Sequence, residues 1–300
     1  MARMPLLAWV LLLISPALLA SNMLVARLAA GWVPPLSLTF WRWLCMALML
    51  GAAVLPSIVS SRAILAREWR GILLLGSIGM TLCGASAYLA GQSTTTVNIG
   101  LIYAASPVLM AILARIFLRE RLDATRIAGI ALCLGGIGVI VSRGSAGALL
   151  EMSFNRGDLW ALSGSAGWAV YSFLQTWIRS ELAVNVRLAL MALAGAAVTA
   201  PFAWIESTRA GAFPFTPQGI ALLAFTVLVA SYGSYLAYAR LQRVAGVSFA
   251  GLAVYLAPLW AALFGWLFVG ESLQGYHLPG AMLVLAGIGL AGRKPAWRNR

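Results

Sequence analysis

The stretch Leu101-Ile-Tyr-Ala-Ala-Ser-Pro107, followed by Glu120-Arg-Leu122, returns later in the chain as Leu252-Ala-Val-Tyr-Leu-Ala-Pro258 and Glu271-Ser-Leu273. The two prolines are separated by 151 residues, and so are the two glutamates and several glycines. A constant offset over this length indicates an internal repeat. The chain is therefore predicted to consist of two copies of one unit, residues 1–150 and 151–300.

The composition predicts an all-α integral membrane protein. Mean hydropathy is +0.90, with 62% apolar and 10% charged residues. Apolar stretches of about 20 residues are typical of membrane-spanning helices. Each unit holds five such stretches, an odd number, so the two copies are expected to cross the membrane in opposite senses, as inverted repeats. The ten predicted spans are 5–26, 34–56, 71–91, 95–117, 125–142, 157–178, 186–206, 217–239, 246–269 and 275–292.

The net charge of +13 is explained by its distribution along the chain. If the N-terminus is cytoplasmic, sixteen of the 21 Lys and Arg residues fall in cytoplasmic segments, four fall on the opposite side, and Arg42 lies within a span. This is the positive-inside pattern of membrane proteins. It predicts a bacterial-type inner (cytoplasmic) membrane protein with both termini in the cytoplasm, and it disfavours a nucleic-acid partner.

The repeated Pro-x12-Glu-[Arg/Ser]-Leu unit, each time followed by a Gly-rich span, resembles the drug/metabolite transporter superfamily in its EamA-type ten-span form. The resemblance implies a transporter with a central cavity between two inverted repeats. Within this superfamily the chain resembles the YddG-like amino-acid exporter group. That resemblance implies export of amino acids or related metabolites, and it is the basis for the efflux direction. Supporting marks are Ala20-Ser-Asn22, Arg42, Trp168-Ala-Val-Tyr171 and Tyr235-Leu-Ala-Tyr238.

Polar and aromatic side chains within the spans are candidates for substrate contact. Trp168, Tyr171 and Gln175 share one helix face, because their spacing follows the helical repeat. A tyrosine facing lipid would leave its hydroxyl without a partner, so such faces are expected to point inward. A cavity with hydroxyls and aromatic walls suits a zwitterion with an apolar side chain, although hydrogen bonding between helices is the alternative interpretation. The candidate substrate-binding residues are Asn22, Tyr88, Tyr103, Trp168, Tyr171, Tyr235 and Tyr238.

Arg42 lies about eight residues inside a predicted span, whereas the other charged residues of the chain fall at span ends or in loops. A charge at the bilayer centre costs about 2.5–3.5 kcal/mol on insertion scales, so such a residue is a functional candidate. Arg42 could contact the carboxylate of an anionic or zwitterionic substrate. Alternatively it is structural, with its head group snorkelling to the interface or bonded to helix carbonyls.

Pro107 and Pro258 fall inside predicted spans and are counterparts in the repeat. A proline within a helix removes one backbone hydrogen bond and kinks the helix. The pair could therefore act as hinges for alternating access, or as fixed packing kinks.

The two copies of the repeat differ at several polar positions. An asymmetric substrate is expected to bind where they differ, at Tyr103 against Val254, Asn22 against Phe173 and Ser106 against Ala257.

The sequence shows no catalytic constellation, and no cofactor or metal site is predicted. Cys45, Cys83 and Cys133 lie within predicted spans, without disulfide or metal-ligand spacing. The expected partners are a small-molecule substrate and the lipid bilayer, while the oligomeric state is left open. One alternative function is efflux of drugs or cationic metabolites, which would require a carboxylate in the membrane. Another is a non-transporting membrane scaffold.

Overall fold

The computed structural model describes residues 6–117, 124–145, 155–245 and 247–291, so Glu120 of the repeated motif lies outside the described residues. Within these ranges the regular structure is helical, and short turns join the helices. In chain order the elements are α1 (Leu6–Leu28), α2 (Pro35–Ser60), α3 (Arg62–Leu75), the π-helical segment π1 (Gly76–Leu82), α4 (Cys83–Gly91), α5 (Thr96–Tyr103), α6 (Ser106–Phe117), α7 (Ala124–Val141), α8 (Arg156–Trp177), α9 (Val184–Ala210), α10 (Pro217–Phe225), π2 (Thr226–Gly233), α11 (Ser234–Ala245), α12 (Val247–Phe264), π3 (Gly265–Val269) and α13 (His277–Ala291).

The chain is a multi-pass membrane protein. Among the described residues, five helices are long and apolar enough to cross a membrane, and three shorter helices are also apolar. The count of ten spans and their inverted arrangement stay predictions. The five long helices are Leu6–Leu28, Pro35–Ser60, Arg62–Gly91, Val184–Ala210 and Pro217–Tyr238, and the shorter ones are Ile127–Ile140, Leu256–Val269 and His277–Gly287.

The predicted span 95–117 is interrupted in the structure. Helix α5 ends at Tyr103, a turn follows, and α6 begins at Ser106. Pro107 therefore lies in the first turn of a helix, where the backbone N–H would have no intrahelical partner in any case. Pro258 instead lies inside the continuous helix α12. The two prolines are counterparts in sequence but occupy different helical positions.

Two of the helix pairs that correspond at the 151-residue offset pack against each other. Helix α2 packs along α9, and α7 packs along α13. Helix α1 packs on α11 and α12, while its counterpart α8 packs on α4, α5 and α6. The α7–α13 crossing is close, since a Cβ placed on Gly136 would lie 2.8 Å from the Gly280 carbonyl oxygen. Small residues permit this approach between membrane helices.

The π-helical segments π1 and π2 also correspond at the repeat offset. In π2 the Ser231 hydroxyl donates to the Thr226 carbonyl five residues earlier, at 2.8 Å. The N-terminus of α2 is fixed by another long-range contact, because the Glu206 carboxylate accepts hydrogen bonds from the backbone N–H groups of Leu36 and Ser37 at 3.1 and 2.8 Å. These contacts hold the N-terminus of α2 and shape the turn of π2. The two elements carry Arg42 and Ser231, respectively.

Candidate functional site

Arg42 is buried, with 4% of its surface exposed. Its Nε donates a hydrogen bond to the Ser231 hydroxyl at 2.7 Å. Its Nη1 donates to the Asn22 Oδ1 at 2.6 Å and to the Tyr88 hydroxyl oxygen at 2.7 Å. Its Nη2 has one contact in the described part of the chain, to the Ala230 carbonyl at 3.5 Å. Arg42 therefore does not snorkel, and most of its partners are side chains of other helices rather than helix carbonyls.

No carboxylate balances this charge within the described part of the chain, where the ion pairs are Arg27–Glu271 and Arg67–Glu181. The ring of Trp43 lies 4.5 Å from the guanidinium carbon and offers a cation–π contact. Neutral partners orient the guanidinium but do not neutralise it, and a buried unpaired charge costs several kcal/mol. The Nη2, whose one contact in the described part of the chain is the long one to Ala230, can donate a charge-assisted hydrogen bond to a carboxylate.

The site depends on the local form of its helices. Arg42 is the eighth residue of α2, which places it about 10 Å along the helix axis from the first residue. The wide turn of π2 presents the Ser231 hydroxyl and the Ala230 carbonyl together to Arg42. Single π-helical turns within α-helices are frequent at functional sites.

A group of tyrosines lies beside Arg42. The Tyr88 hydroxyl donates to the Asn22 Oδ1 at 3.0 Å, which links two Arg42 partners to each other. The Tyr103 hydroxyl donates to the Cys83 carbonyl of α4 at 3.2 Å, and its ring packs against the same hydrophobic core as Tyr88. This group connects α1, α2, α4 and α5.

The aromatic face predicted on residues 168–175 extends the site. The rings of Trp168 and Tyr171 are 5.5 Å apart. Tyr171 is 2% exposed, and among the described residues its hydroxyl completes no hydrogen bond of standard geometry, although Gln175 and Tyr235 lie next to it. Trp168 and Tyr235 pack against the same hydrophobic core as Tyr171.

The structure thus brings six of the seven predicted substrate-binding residues into one region. Tyr238 is the exception, because it packs with Leu11, Leu12 and Leu241 in a second, separate hydrophobic cluster. The polar centre is formed by Asn22, Arg42, Tyr88, Tyr103 and Ser231, and the internal repeat does not reproduce it. At the 151-residue offset the corresponding residues are, in the same order, Phe173, Leu193, Ala239, Val254 and Met80.

A second polar group lies at the end of the molecule that holds the α4–α5 turn. Arg27 Nε donates to the Glu271 Oε1 at 3.1 Å and its Nη1 donates to the Gly91 carbonyl at 2.8 Å. The Glu271 carboxylate also accepts from the backbone N–H of Thr96, at 3.0 and 2.9 Å to its two oxygens. Sequence reasoning missed this group, because its members are up to 244 residues apart and no periodicity relates them.

An all-helical, multi-pass chain with a polar centre between its two halves has the architecture of a membrane transporter. The sequence model of the EamA-like transporter family matches residues 6–142 and again residues 155–293, so the chain belongs to this family. The family consists of transporters and not of enzymes, which agrees with the sequence-based expectation.

The chain is similar to curated transporters whose substrates are not named. It is 25% identical over 267 residues to the uncharacterized transporter YyaM of Bacillus subtilis (strain 168), covering 88% of this chain and 86% of that protein. It is 25% identical over 291 residues to an uncharacterized transporter of Archaeoglobus fulgidus, covering 95% and 96% respectively. A solved crystal structure, 21% identical, matches with a TM-score of 0.61 over 95% of this chain and 96% of that one, which shows a similar fold.

Proposed function

We propose that the protein exports small carboxylate-bearing metabolites, with amino acids as the expected class, and that Arg42 contacts the substrate carboxylate. One observation carries the proposal: Arg42 is a buried cation whose partners Asn22, Tyr88 and Ser231 are neutral. A substrate carboxylate would supply the missing negative charge. Charge-assisted hydrogen bonds of this kind contribute about 1.5–3 kcal/mol.

The surroundings of Arg42 favour a zwitterion over a simple acid. The rings of Tyr103, Trp168 and Tyr171 offer apolar surface for a side chain, and aromatic faces also attract an ammonium group. The Tyr171 hydroxyl, which lacks a full hydrogen bond, can accept from that ammonium. An amino acid combines these three features, so the YddG-like amino-acid exporters are the functional model for this chain.

Alternating access through the central cavity would follow from two inverted repeats, residues 1–150 and 151–300, moving against each other. The double match to the family and the packing of corresponding helices support this mechanism. Pro258, inside α12, is the better placed of the two candidate hinges. The arginine distribution supports an inner-membrane location with both termini in the cytoplasm.

Efflux of drugs or cationic metabolites is the competing function, and it would require a carboxylate near the cavity. Among the described residues, Glu206 and Glu271 accept hydrogen bonds from backbone N–H groups near helix ends. Asp158 is buried, but its hydrogen bonds are to Thr94 and Asn98 at the end of α8 and not to the Arg42 group. Glu68 accepts from the Glu181 N–H. None of the hydrogen bonds of Arg42 involves an acid. The charge of the site therefore favours anionic groups.

The experiment is a counterflow assay with purified protein in liposomes that are preloaded with an amino acid, an organic cation or a neutral metabolite. We expect carrier-dependent flux for at least one amino acid. Trp168→Ala and Tyr171→Ala should reduce this flux while the protein stays folded. Flux for organic cations with none for any amino acid would overturn the proposal, as would the absence of flux for all three classes.

A further inference from the structure

Asp158, in the first turn of α8, is completely buried, with 0% of its surface exposed. Its Oδ1 accepts hydrogen bonds from the Thr94 hydroxyl and from the Asn98 Nδ2, the latter at 3.2 Å. Its Oδ2 is buried and has no hydrogen-bond partner among the described residues. A charged carboxylate in this position would lack donors for half of its acceptor capacity.

The protonation state of the neighbouring His277 follows from its hydrogen bonds. The Asn98 Nδ2 donates to Thr94 and to Asp158, so the Asn98 Oδ1 faces the His277 Nε2 at 2.9 Å. Since an amide oxygen can only accept, the Nε2 must carry a hydrogen. The Nδ1 accepts from the Gln274 backbone N–H at 2.8 Å and therefore carries none. His277 is neutral in this arrangement, as assigned from the hydrogen-bond network.

The charged and titratable groups around Asp158 do not balance a negative charge there. Arg27 pairs with Glu271, and Arg143, which lines the adjacent cavity, forms no ion pair with Asp158 within the described ranges. Among the described residues, Tyr276, whose ring lies 4.3 Å from that of His277, the neutral His277 and the exposed Arg156 of α8 are the other such groups nearby. An ionised Asp158 would thus be a buried charge without a counter-ion, whereas the protonated acid leaves only a neutral O–H at Oδ2 without a partner, which costs less.

The hydrogen-bond network around Asp158 joins parts of the structure that would separate if this face opened. Asp158 of α8 bonds Thr94 of the α4–α5 turn and Asn98 of α5, and Asn98 in turn bonds His277 of α13. The Arg27–Glu271 pair closes the same end. A cavity of about 410 Å³ lies on the outside of this network and is lined by Arg27, Thr94, Asn98, Arg143, Gln274 and Tyr276. Opening would extend this cavity to the Asp158 carboxyl, where water would stabilise the ionised form.

We propose that Asp158 is a proton-binding site, and that the closed arrangement of this face requires its carboxyl to be protonated. The proton comes from, and returns to, the water on this same side of the membrane, so no proton crosses with the substrate. The inference rests on the proposed alternating access, since it concerns the opening of one face. In the proposed topology that face is the external one.

The test measures the opening directly and uses no substrate. Spin labels at Gln92→Cys and Ser272→Cys, both exposed positions on the two sides of the network, report the distance in a background without Cys45, Cys83 and Cys133. We expect a longer-distance population that grows as the pH is raised. Asp158→Asn keeps an oxygen for Thr94 and Asn98 but cannot ionise, so it should stay closed at every pH.

The sign of the response distinguishes Asp158 from His277. Loss of a proton from Asp158 opens the face as the pH rises, whereas protonation of His277 would break its bond from Gln274 and open the face as the pH falls. A distance that does not change with pH would overturn the proposal. So would opening at low pH that His277→Gln abolishes, or an Asp158→Asn variant that responds as the parent does.

Infrared spectroscopy of the wild-type protein gives a second readout that needs no variant. A protonated-carboxyl band should be present in the closed state and disappear together with closure as the pH is raised, and its absence from the closed state would overturn the proposal. Neither experiment involves Arg42, so a negative result here would leave the proposed substrate site standing.

Discussion

The Nη1 of Arg42 lies 2.6 Å from the Oδ1 of Asn22, so a buried cation is held by an uncharged amide oxygen. The amide orients the guanidinium through a hydrogen bond and leaves its charge unbalanced. A substrate carboxylate can then provide the balancing charge without first displacing a resident acid. The contact between α1 and α2 is therefore central to the proposed substrate selectivity.

Asn22→Asp is expected to block the site while preserving the fold. The new carboxylate has the same shape as the amide and would pair with Arg42. Substrate carboxylates would then compete with the new carboxylate for Arg42. A loss of about 1.5–3 kcal/mol of binding free energy corresponds to roughly a 10- to 150-fold rise in KM. The measurement is counterflow kinetics together with thermal stability, which should be unchanged or raised. Asn185→Asp adds the same charge at an exposed position and should leave KM unchanged, whereas a wild-type KM for Asn22→Asp would contradict the account.

Gly164→Ala is expected to displace Tyr103. A Cβ at this position would lie 1.9 Å from the Tyr103 hydroxyl oxygen, so the ring must move. Overpacking of this kind typically costs about 1–3 kcal/mol. We expect a lower thermal midpoint and lower flux. Gly138→Ala is the matched control, because a Cβ there meets nothing within 4 Å. Equal effects of the two substitutions would show that Tyr103 is not fixed by Gly164.

Pro258→Ala and Pro107→Ala are expected to differ, although the two positions are repeat counterparts. Pro258 interrupts the hydrogen bonding of α12, and replacing an interior proline by alanine favours the helix by about 3 kcal/mol. The variant should be more stable and turn over several-fold more slowly, with KM unchanged. Pro107 lies in the first turn of α6, so Pro107→Ala should change turnover little. Wild-type turnover in Pro258→Ala would remove Pro258 as a hinge.

Glu271→Gln is expected to weaken the end of the molecule that holds the Arg27–Glu271 pair. The Glu271 side chain is 7% exposed and accepts from Arg27 and from the Thr96 backbone. Loss of a hydrogen-bonded charge of this kind typically costs about 1–3 kcal/mol. Glu181→Gln is the control, because exposed ion pairs such as Arg67–Glu181 contribute about 0–1 kcal/mol. The thermal midpoints of the two variants are compared with that of the wild-type protein. A decrease for Glu181→Gln as large as that for Glu271→Gln would contradict this expectation.

Much of the helical arrangement could be read from the sequence, because apolar length and the repeat offset are local and periodic signals. The predicted spans 5–26 and 34–56 agree with α1 and α2 to within a few residues. The break between Tyr103 and Ser106 was predicted only as a kink, since a proline in an apolar stretch can either kink a continuous helix or stand in the first turn of a new one, as Pro107 does. The π-helical segments likewise have no composition that sets them apart.

The polar centre was partly predictable for a similar reason. A polar residue inside a span signals a site, and this rule indicated Asn22, Tyr88 and Arg42. The same rule also indicated Tyr238, which packs elsewhere because its position on α11 turns it toward the Leu11 cluster. Asp158 was missed because an acid at a helix N-terminus is typical of the interface, and its burial arises from Thr94 and Asn98, which are 60 or more residues away.

The central claim is that Arg42 contacts the substrate carboxylate, and a paired competition assay tests it most directly. Counterflow of the transported amino acid is inhibited either by the same unlabelled amino acid or by its amide, which lacks the negative charge. Wild-type protein and Arg67→Gln, a surface control, should prefer the amino acid by about tenfold or more. Arg42→Gln should lose that preference while remaining folded. An Arg42→Gln variant that keeps the wild-type preference for the carboxylate would contradict the account.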